Sequence, residues 1–295
     1  MINWKLKAAL FHAFNILPMG AKFHYLAQRY ITKTLPREDS QIDALVEVAR
    51  EYVNDYKTLG ITPLEHATFL EIGAGRDLVV PLALRLLGVK HVTSVDIERL
   101  ANIELVNSAA KKVCYSLGLP PVEFATWDDL ANFGIMYLAP FDLVESSENI
   151  STVDAFVSNE VLEHIPVLML APLFKSVISK LKDGGVSIHS IDYSDHYARD
   201  GGVSRYNFLQ YSDSDWEKYN PSMHYVNRLR HSEYILIMKD CGLEIISCDK
   251  HAEIIPKSSV ISPRFSNYSS EDLNIMRSRI VGQSLKVKIS VQAQV

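Results

Sequence analysis

The stretch of sequence that decides the fold is Phe69-Leu-Glu-Ile-Gly-Ala-Gly-Arg76. It contains most of the apolar run Thr68 to Ile72, which is typical of a short buried strand. Gly73 and Gly75 follow at once, and glycine can adopt the positive φ that a tight turn and a close ligand require. Residues 76–88 then predict a helix whose first N–H groups point back at the turn. This order of strand, glycine turn and helix predicts a site for a nucleotide-type cofactor.

The next strand supports this interpretation because it ends in a carboxylate. The run His91-Val-Thr-Ser-Val-Asp96 predicts a strand with Asp96 at its end, where it can accept hydrogen bonds from both hydroxyls of a ribose. A dinucleotide fingerprint would also need glycine at position 78, but the chain has Leu78, so NAD is disfavoured. Glu71 suits instead a cofactor with a cationic amino-acid end. S-adenosylmethionine is such a cofactor.

Three later segments continue the pattern: Val122-Glu-Phe-Ala-Thr-Trp-Asp-Asp129, Val153-Asp-Ala-Phe-Val-Ser-Asn-Glu-Val-Leu-Glu-His-Ile165 and Leu181-Lys-Asp-Gly-Gly-Val-Ser-Ile-His189. Together with the residues above, they resemble the class I S-adenosylmethionine-dependent methyltransferases. The resemblance implies that the first segment is the third strand, whose carboxylate receives the adenine amino group; we choose Asp128, with Asp129 as the alternative. It implies that the second segment is the fourth strand and the loop over the methionine part of the cofactor, and that the third segment leads into the fifth strand. The predicted cofactor-binding residues are Glu71, Gly73, Ala74, Gly75, Asp96, Ile97, Asp128, Asn159 and Glu160.

The alternation of predicted strands and helices indicates an α/β fold: a doubly wound, mostly parallel seven-stranded sheet with an antiparallel edge strand. Residues 1–60 are predicted to form an N-terminal helical cap, and residues 61–295 the cofactor-binding domain. An irregular stretch at about 194–230, rich in Tyr, Asn, Ser and His, predicts a lid insertion after the fifth strand. Leu285 to Val291 alternates as the final, antiparallel strand.

Composition places the chain among large globular enzymes. It has 295 residues, 47% of them hydrophobic, and a formal net charge of −5, and it carries no long basic block, so no nucleic-acid partner is predicted. The three cysteines form no CxxC pair, which predicts neither disulfides nor a zinc cluster and fits a reduced cytoplasmic location. No apolar run reaches the roughly 18 residues of a spanning helix, and no particular oligomeric state is predicted.

Residues 1–37 are basic, with no Asp or Glu before Glu38. Apolar residues lie among the cations, so two interpretations are open. Either this segment caps the active site, or it is an amphipathic helix that contacts a membrane surface or a lipid-linked substrate. The cap is favoured because an apolar helix face has to pack somewhere. The cations are Lys5, Lys7, Lys22, Arg29, Lys33 and Arg37.

Catalytic and acceptor-binding residues are expected beyond the carboxyl ends of the strands, where open α/β sheets bind their ligands. An alcohol acceptor must lose a proton, and histidine is the natural base at neutral pH. His196, with Asp192 or Asp195 to orient its ring, is the first candidate, and His164 is the second. His189 is predicted to be a core residue. The predicted substrate-binding residues are Asp192, Tyr193, His224 and Arg228.

The insertion mixes aromatic rings with amide and hydroxyl groups, a combination that binds sugars. It loosely resembles methyltransferases of bacterial saccharide and secondary-metabolite assembly, which implies a hydroxyl of a sugar or natural-product intermediate as the acceptor. The alternatives are a lipid-linked acceptor and a scaffold protein that has lost catalysis. No metal is predicted, because Asp192 and Asp195 lack a clear third ligand.

Overall fold

The computed structural model describes residues 3–17, 25–31, 34–200 and 202–284. Its strands are β1 Thr68–Ile72, β2 His91–Val95, β3 Ile135–Leu138, β4 Val153–Asn159, β5 Leu181–Asp192, β6 Leu243–Ala252 and β7 Ile275–Ser284. Within these residues they form a seven-stranded sheet in the order β3-β2-β1-β4-β5-β7-β6. Strands β1 to β5 are parallel, and β7 is antiparallel to both β5 and β6. The predicted α/β sheet is confirmed.

The antiparallel strand lies one position inside the sheet edge. Strand β7 pairs with β5 from Val186 to Asp192, and β6 forms the edge beyond it. The final strand expected at 285–291 lies outside the described residues. The described antiparallel strand is the segment immediately before it.

Helices cover both faces of the sheet. Among the described residues the α-helices are α1 Trp4–Ile16, α2 Asp39–Leu59, α3 Val79–Leu86, α4 Ile103–Ser116, α5 Trp127–Phe133, α6 Val167–Lys180, α7 Asp213–Trp216, α8 His231–Asp240 and α9 Ser270–Asn274. Helices α2, α3 and α4 pack with Phe69 of β1 in one apolar core, and α6 and α8 pack with Leu70 in a second one. Successive residues of β1 therefore face opposite cores, as the period of a strand requires.

The prediction of the third strand at 122–129 is wrong. These residues form a loop and the first turn of α5, and β3 begins only at Ile135. The reason is a capping box: the Asp129 N–H donates to Thr126 Oγ1 at 3.1 Å, and the Thr126 N–H donates to the Asp129 carboxylate at 2.9 Å. Such a pair satisfies two backbone donors at a helix start and fixes the chain as a helix there.

The N-terminal helix and the insertion share a third apolar core. Ala8 and Phe11 of α1 are buried against Tyr197 and Trp216 of the insertion. The Trp4 ring lies 5.4 Å from the Tyr197 ring. Helix α2 packs instead in the main core beside β1. Among the described residues, no helix has the length and apolarity that crossing a membrane requires.

His189 is a core residue, as predicted. It lies on β5 with 0% of its surface exposed, and both ring nitrogens are hydrogen-bonded: Nδ1 to Ser158 Oγ at 2.8 Å and Nε2 to Ser187 Oγ at 2.6 Å. Burial disfavours the charged ring and lowers the pKa of His189 to about 3.

We expect His189 to make stability fall with acidification. Between pH 6.5 and about 3 the unfolded chain binds a proton at this position and the folded chain does not, so the free energy of unfolding decreases as pH falls, by at most about 1.4 kcal/mol per pH unit. Urea unfolding of the parent and His189→Gln from pH 7 to 5 measures the slope. The variant should show the smaller slope, and equal slopes would contradict the assignment.

Candidate active site

The glycine turn after β1 uses its two glycines for different purposes. Gly73 has φ +77°, and a Cβ there would collide with the Val161 methyl groups, so the loop after β4 rests directly on it. Gly75 has φ +66°, and a Cβ there would meet nothing within 4 Å. Gly73 therefore allows the loop after β4 to pack closely against the turn after β1. Gly75 leaves its backbone open for a ligand to approach.

Asp96 stands at the end of β2 beside this turn. The Gly75 N–H donates to its Oδ2 at 3.3 Å, and the Glu98 N–H donates to its Oδ1 at 3.2 Å. Burial raises the pKa of Asp96 above its ordinary value. Its neighbour Ile97 keeps 70% of its surface exposed. A carboxylate next to an uncovered apolar side chain suits the ribose and base of a nucleoside.

Two cavities meet at these residues. One has a volume of about 310 Å³ and is mostly apolar, and the other has about 480 Å³ and is more polar. Both are lined by Asp96, Ile97 and His164. The first also includes Gly73, Asp142 and Leu143, and the second Asn15, Gln28, Arg76 and Tyr225. Together they form one cleft at the carboxyl ends of the parallel strands, where cofactors of open α/β sheets bind.

The structure places Asp142, and not Asp128, in the cleft where the adenine carboxylate is expected. Asp128 is exposed in the first turn of α5 and does not line either cavity. Asp142 follows β3 and lines the 310 Å³ cavity with Asp96. Its Oδ1 accepts the Val144 N–H at 2.9 Å. The sequence signal for Asp142 is the short apolar strand that precedes it. The assignment of the third strand to residues 122–129 hides that signal.

Two further predicted residues test the fit of S-adenosylmethionine. Asn159 ends β4, and its Oδ1 is buried without a hydrogen-bond partner among the described residues. An unpaired buried acceptor costs about 1–3 kcal/mol, which a donor such as an ammonium group would offset. Glu71 lies deeper, 3% exposed, and accepts a hydrogen bond from Ser94. Burial raises the pKa of Glu71 to about 8. Asn159 therefore offers an unpaired acceptor to an ammonium group, whereas Glu71 is buried with Ser94, and neither residue lines the two cavities.

Glu160 is not placed toward this cleft. Its carboxylate forms ion pairs with Arg199, at 3.2 Å, and with Arg277. These residues line a separate cavity of about 290 Å³ that contains no residue of the glycine turn. The predicted cofactor contact of Glu160 is therefore corrected to a contact with the two arginines.

His164 faces the cleft. Its Nδ1 donates to the Tyr225 carbonyl oxygen at 2.6 Å, so Nε2 carries the lone pair. The side chain lines both cavities. The surrounding protein and the neighbouring His196 ring lower the pKa of His164 to about 4. The ring is therefore neutral at pH 7, with an acceptor nitrogen in the cleft.

His196, the first candidate base, lies behind His164. It is 3% exposed, and the two ring centres are 4.9 Å apart. Its Nε2 is 3.5 Å from Asp192 Oδ2, whereas the Asp195 carboxylate accepts hydrogen bonds from Asn207 and Tyr197. Asp192 is thus the residue that orients the ring. Burial opposes ionisation of Asp192, but the contact with His196 outweighs it, and the pKa of Asp192 lies well below its ordinary value.

The other predicted substrate-binding residues lie outside the cleft and contact other parts of the protein. The Tyr193 hydroxyl is buried against Ser278 Oγ at 2.7 Å. Arg228 is 5% exposed and donates to backbone carbonyl oxygens of the insertion. The His224 ring stacks on Phe11 at 4.7 Å between centroids. Neither Tyr193, Arg228 nor His224 lines the two cavities of the cleft.

Comparison with known proteins shows the family to which the chain belongs. A family model described as a methyltransferase domain matches residues 24–247, so the chain belongs to the methyltransferase-domain family. The chain is an S-adenosylmethionine-dependent methyltransferase. No curated protein sequence matches it.

Solved structures of methyltransferases align with the chain at low identity. An S-adenosylmethionine-dependent methyltransferase from Methanosarcina mazei aligns with a TM-score of 0.50 and 17% identity, over 79% of this chain and 97% of that one. Magnesium protoporphyrin IX methyltransferase from Synechocystis PCC 6803, solved with bound S-adenosylhomocysteine, aligns with a TM-score of 0.46 and 14% identity over 83% of each chain.

Replacing Asp96 or Asp142 should weaken cofactor binding, whereas replacing Asp128 should not. We expect Asp96→Ala and Asp142→Asn each to weaken S-adenosylhomocysteine binding by about tenfold or more, since a hydrogen bond to a charged group contributes about 1.5–3 kcal/mol. Asparagine at 142 keeps an acceptor for the Val144 N–H, so the loop should hold. Calorimetric titration measures the dissociation constants. Asp128→Asn is the matched control and should bind S-adenosylhomocysteine like the parent. Weaker binding in Asp128→Asn together with parent-like binding in Asp142→Asn would return the adenine contact to Asp128.

Cofactor binding should release a proton from Glu71. The pKa of about 8 makes this carboxyl neutral at pH 7, and a neighbouring ammonium group would favour the charged form. Affinity for S-adenosylmethionine should then rise between about pH 6 and 7.5, by at most about tenfold per pH unit. Calorimetry in buffers of different ionisation enthalpy counts the protons. Glu71→Gln should release fewer than the parent, and equal release would exclude the ammonium contact.

Proposed function

We propose that the enzyme methylates a hydroxyl of a polar small molecule, such as a sugar or a natural-product intermediate. When bound, S-adenosylmethionine supplies an electrophilic methyl group. The observation that carries the proposal is the position of His164, whose side chain lines both the apolar and the polar cavity. An acceptor in the polar cavity would lie next to both this ring and the cofactor residues.

The lining of the 480 Å³ cavity supports a polar acceptor. Side-chain amides, a hydroxyl, a guanidinium group and a phenol surround it, from Asn15, Gln28, Ser222, Arg76 and Tyr225. Such groups form directional hydrogen bonds with a molecule rich in hydroxyls. Tyr197 and Trp216, two aromatic residues of the insertion, do not contribute because they are buried in the core shared with α1. The proposal therefore depends on the polar lining.

The chain would remove the acceptor proton through His164. Its Nε2 lone pair is available at pH 7, and the bond from Nδ1 to the Tyr225 carbonyl oxygen holds the ring in place. Methyl transfer requires the nucleophile to be aligned and water to be excluded. Helix α1 and the insertion, which supply Asn15 and Ser222 to the cavity wall, support a role for both segments as its cover.

A lipid-linked acceptor is the second candidate. Helix α1 exposes apolar side chains on the face away from the insertion, with Lys5 next to them.

Removing helix α1 would also remove part of the third core, so point changes are the better test of a lipid-linked acceptor. Leu6→Ser with Leu10→Ser should lower binding to anionic vesicles in a sedimentation assay. Tyr115→Ser, 86% exposed in α4, is the control, and equal binding of all variants removes this candidate. The exposed residues are Leu6 56%, Leu10 43%, Ile16 84% and Leu17 48%.

His164→Asn should separate cofactor binding from turnover. Loss of a general base costs about 10²–10⁴ in kcat, whereas affinity for S-adenosylhomocysteine should stay within about threefold of the parent. Calorimetry with S-adenosylmethionine, S-adenosylhomocysteine and NAD comes first, followed by a labelled-methyl screen of acceptors that begins with sugars. His251→Asn is the control, since that ring is exposed on β6. A parent-like kcat in His164→Asn would exclude His164 as the base.

A further inference from the structure

We infer that Glu163, His164 and His196 form a binding site for a divalent transition-metal ion such as Zn²⁺. One carboxylate oxygen of Glu163 and one ring nitrogen of each histidine lie within 4.8 Å of one another. Ligand atoms about 2.1 Å from a tetrahedral ion lie about 3.4 Å apart, so modest side-chain rotations would bring the three onto one ion.

The fold itself brings the three residues together. Glu163 and His164 belong to the short turn Leu162–His164 that follows β4, and His196 begins the turn His196–Asp200 that follows β5. Strands β4 and β5 are parallel neighbours, so their carboxyl ends meet at the same edge of the sheet. The cluster is therefore a product of the strand order.

Glu163 gives an independent indication of a missing partner. The side chain is 3% exposed; its Oε1 accepts the Asp192 N–H at 3.3 Å, and its Oε2 has no hydrogen-bond partner among the described residues. A buried carboxyl oxygen without a partner is costly. A bound cation would satisfy it.

His164 is held as metal ligands usually are. Its Nδ1–H donates to a backbone carbonyl oxygen, which orients Nε2 as the free donor atom. Nε2 of His196 lies 3.3 Å from Arg199 and 3.5 Å from Asp192 Oδ2, so an ion bound through this atom would displace both contacts. The Arg199 guanidinium would keep its ion pairs with Glu160 and Asp192, both at 3.2 Å. Of the three residues only His164 is exposed, and it lines both cavities of the cleft.

The donor set selects the kind of metal. Two imidazoles and one carboxylate suit Zn²⁺ and neighbouring transition metals, whereas Mg²⁺ and Ca²⁺ prefer oxygen ligands. The sequence predicts no metal because Asp192 and Asp195 have no clear third ligand beside them. In the structure Asp192 instead lies behind His196, and Asp195 bonds within the insertion.

The role of the ion rests on the proposed function. An acceptor hydroxyl that occupies an open position would have its pKa lowered and would lose its proton to water in the cavity. The oxygen lone pair then forms the O–C bond to the methyl group while the C–S bond breaks, and its electron pair returns to sulfur. With the ion bound, His164 coordinates it through Nε2 and cannot take the proton, so the base role proposed above belongs to the chain without the ion.

Zinc titration of the EDTA-treated, dialysed chain tests the site directly. The parent should bind one Zn²⁺ per chain, and Glu163→Gln and His196→Asn should each weaken binding at least about tenfold. Glutamine keeps an oxygen for the Asp192 N–H, and S-adenosylhomocysteine binding checks that each variant is folded. His251→Asn, an exposed histidine 3.7 Å from Glu253, controls for surface binding and should match the parent. Co²⁺ absorption bands provide a second readout.

Absence of stoichiometric zinc, or equal affinity in the parent and both variants, would overturn the site. Zinc binding that both variants lose supports it, whichever acceptor is found. Methyl transfer by the metal-free enzyme at the parent rate would overturn the role of the ion in activating the acceptor. Cofactor titration reports on the methyltransferase site separately, so failure of the two proposals can be told apart.

Discussion

The structure depends on the contact between the Gly73 backbone and the Val161 side chain. Because Gly73 has no Cβ and a positive φ, the loop after β4 can rest on the turn after β1. This contact sets the height of the loop above the sheet. It thereby places Glu163 and His164 at the edge of the cofactor cleft, with His164 open to both cavities. Any side chain at position 73 would push this loop outward and separate the cofactor residues from the acceptor residues.

Local patterns were sufficient for most of the sheet. The apolar run Thr68–Ile72 and the glycine turn after it are defined by neighbouring residues, and β1 has the predicted bounds. The prediction of the third strand is wrong for the opposite reason. Strand β3 has only four residues, and what identifies it is its pairing with β2, a contact that the sequence does not display. The segment before it has the composition of a strand, but its capping box makes it a helix start.

The direction of side chains limited the prediction of the site. Asp96 could be found because it ends a strand beside a glycine turn, and strand ends in such sheets point toward the ligand. His164, Tyr193 and His196 all follow strands too, yet only His164 faces the cleft, since Tyr193 packs in the core and His196 lies behind His164. Residue type does not encode this difference. The packing of the insertion against α1 decides much of it.

The core shared by α1 and the insertion joins parts of the chain that are synthesised far apart. Asn15 accepts a hydrogen bond from the Met223 N–H across a separation of 208 residues. A ribosome that adds about 5–20 residues per second makes the insertion on the order of 10–40 s after the helix. Throughout that interval Trp4 lacks the rings of Tyr197 and Trp216, against which it packs in the folded chain. Helix α1, which emerges long before the insertion, is therefore buried late, and until then it is a surface that chaperones can bind.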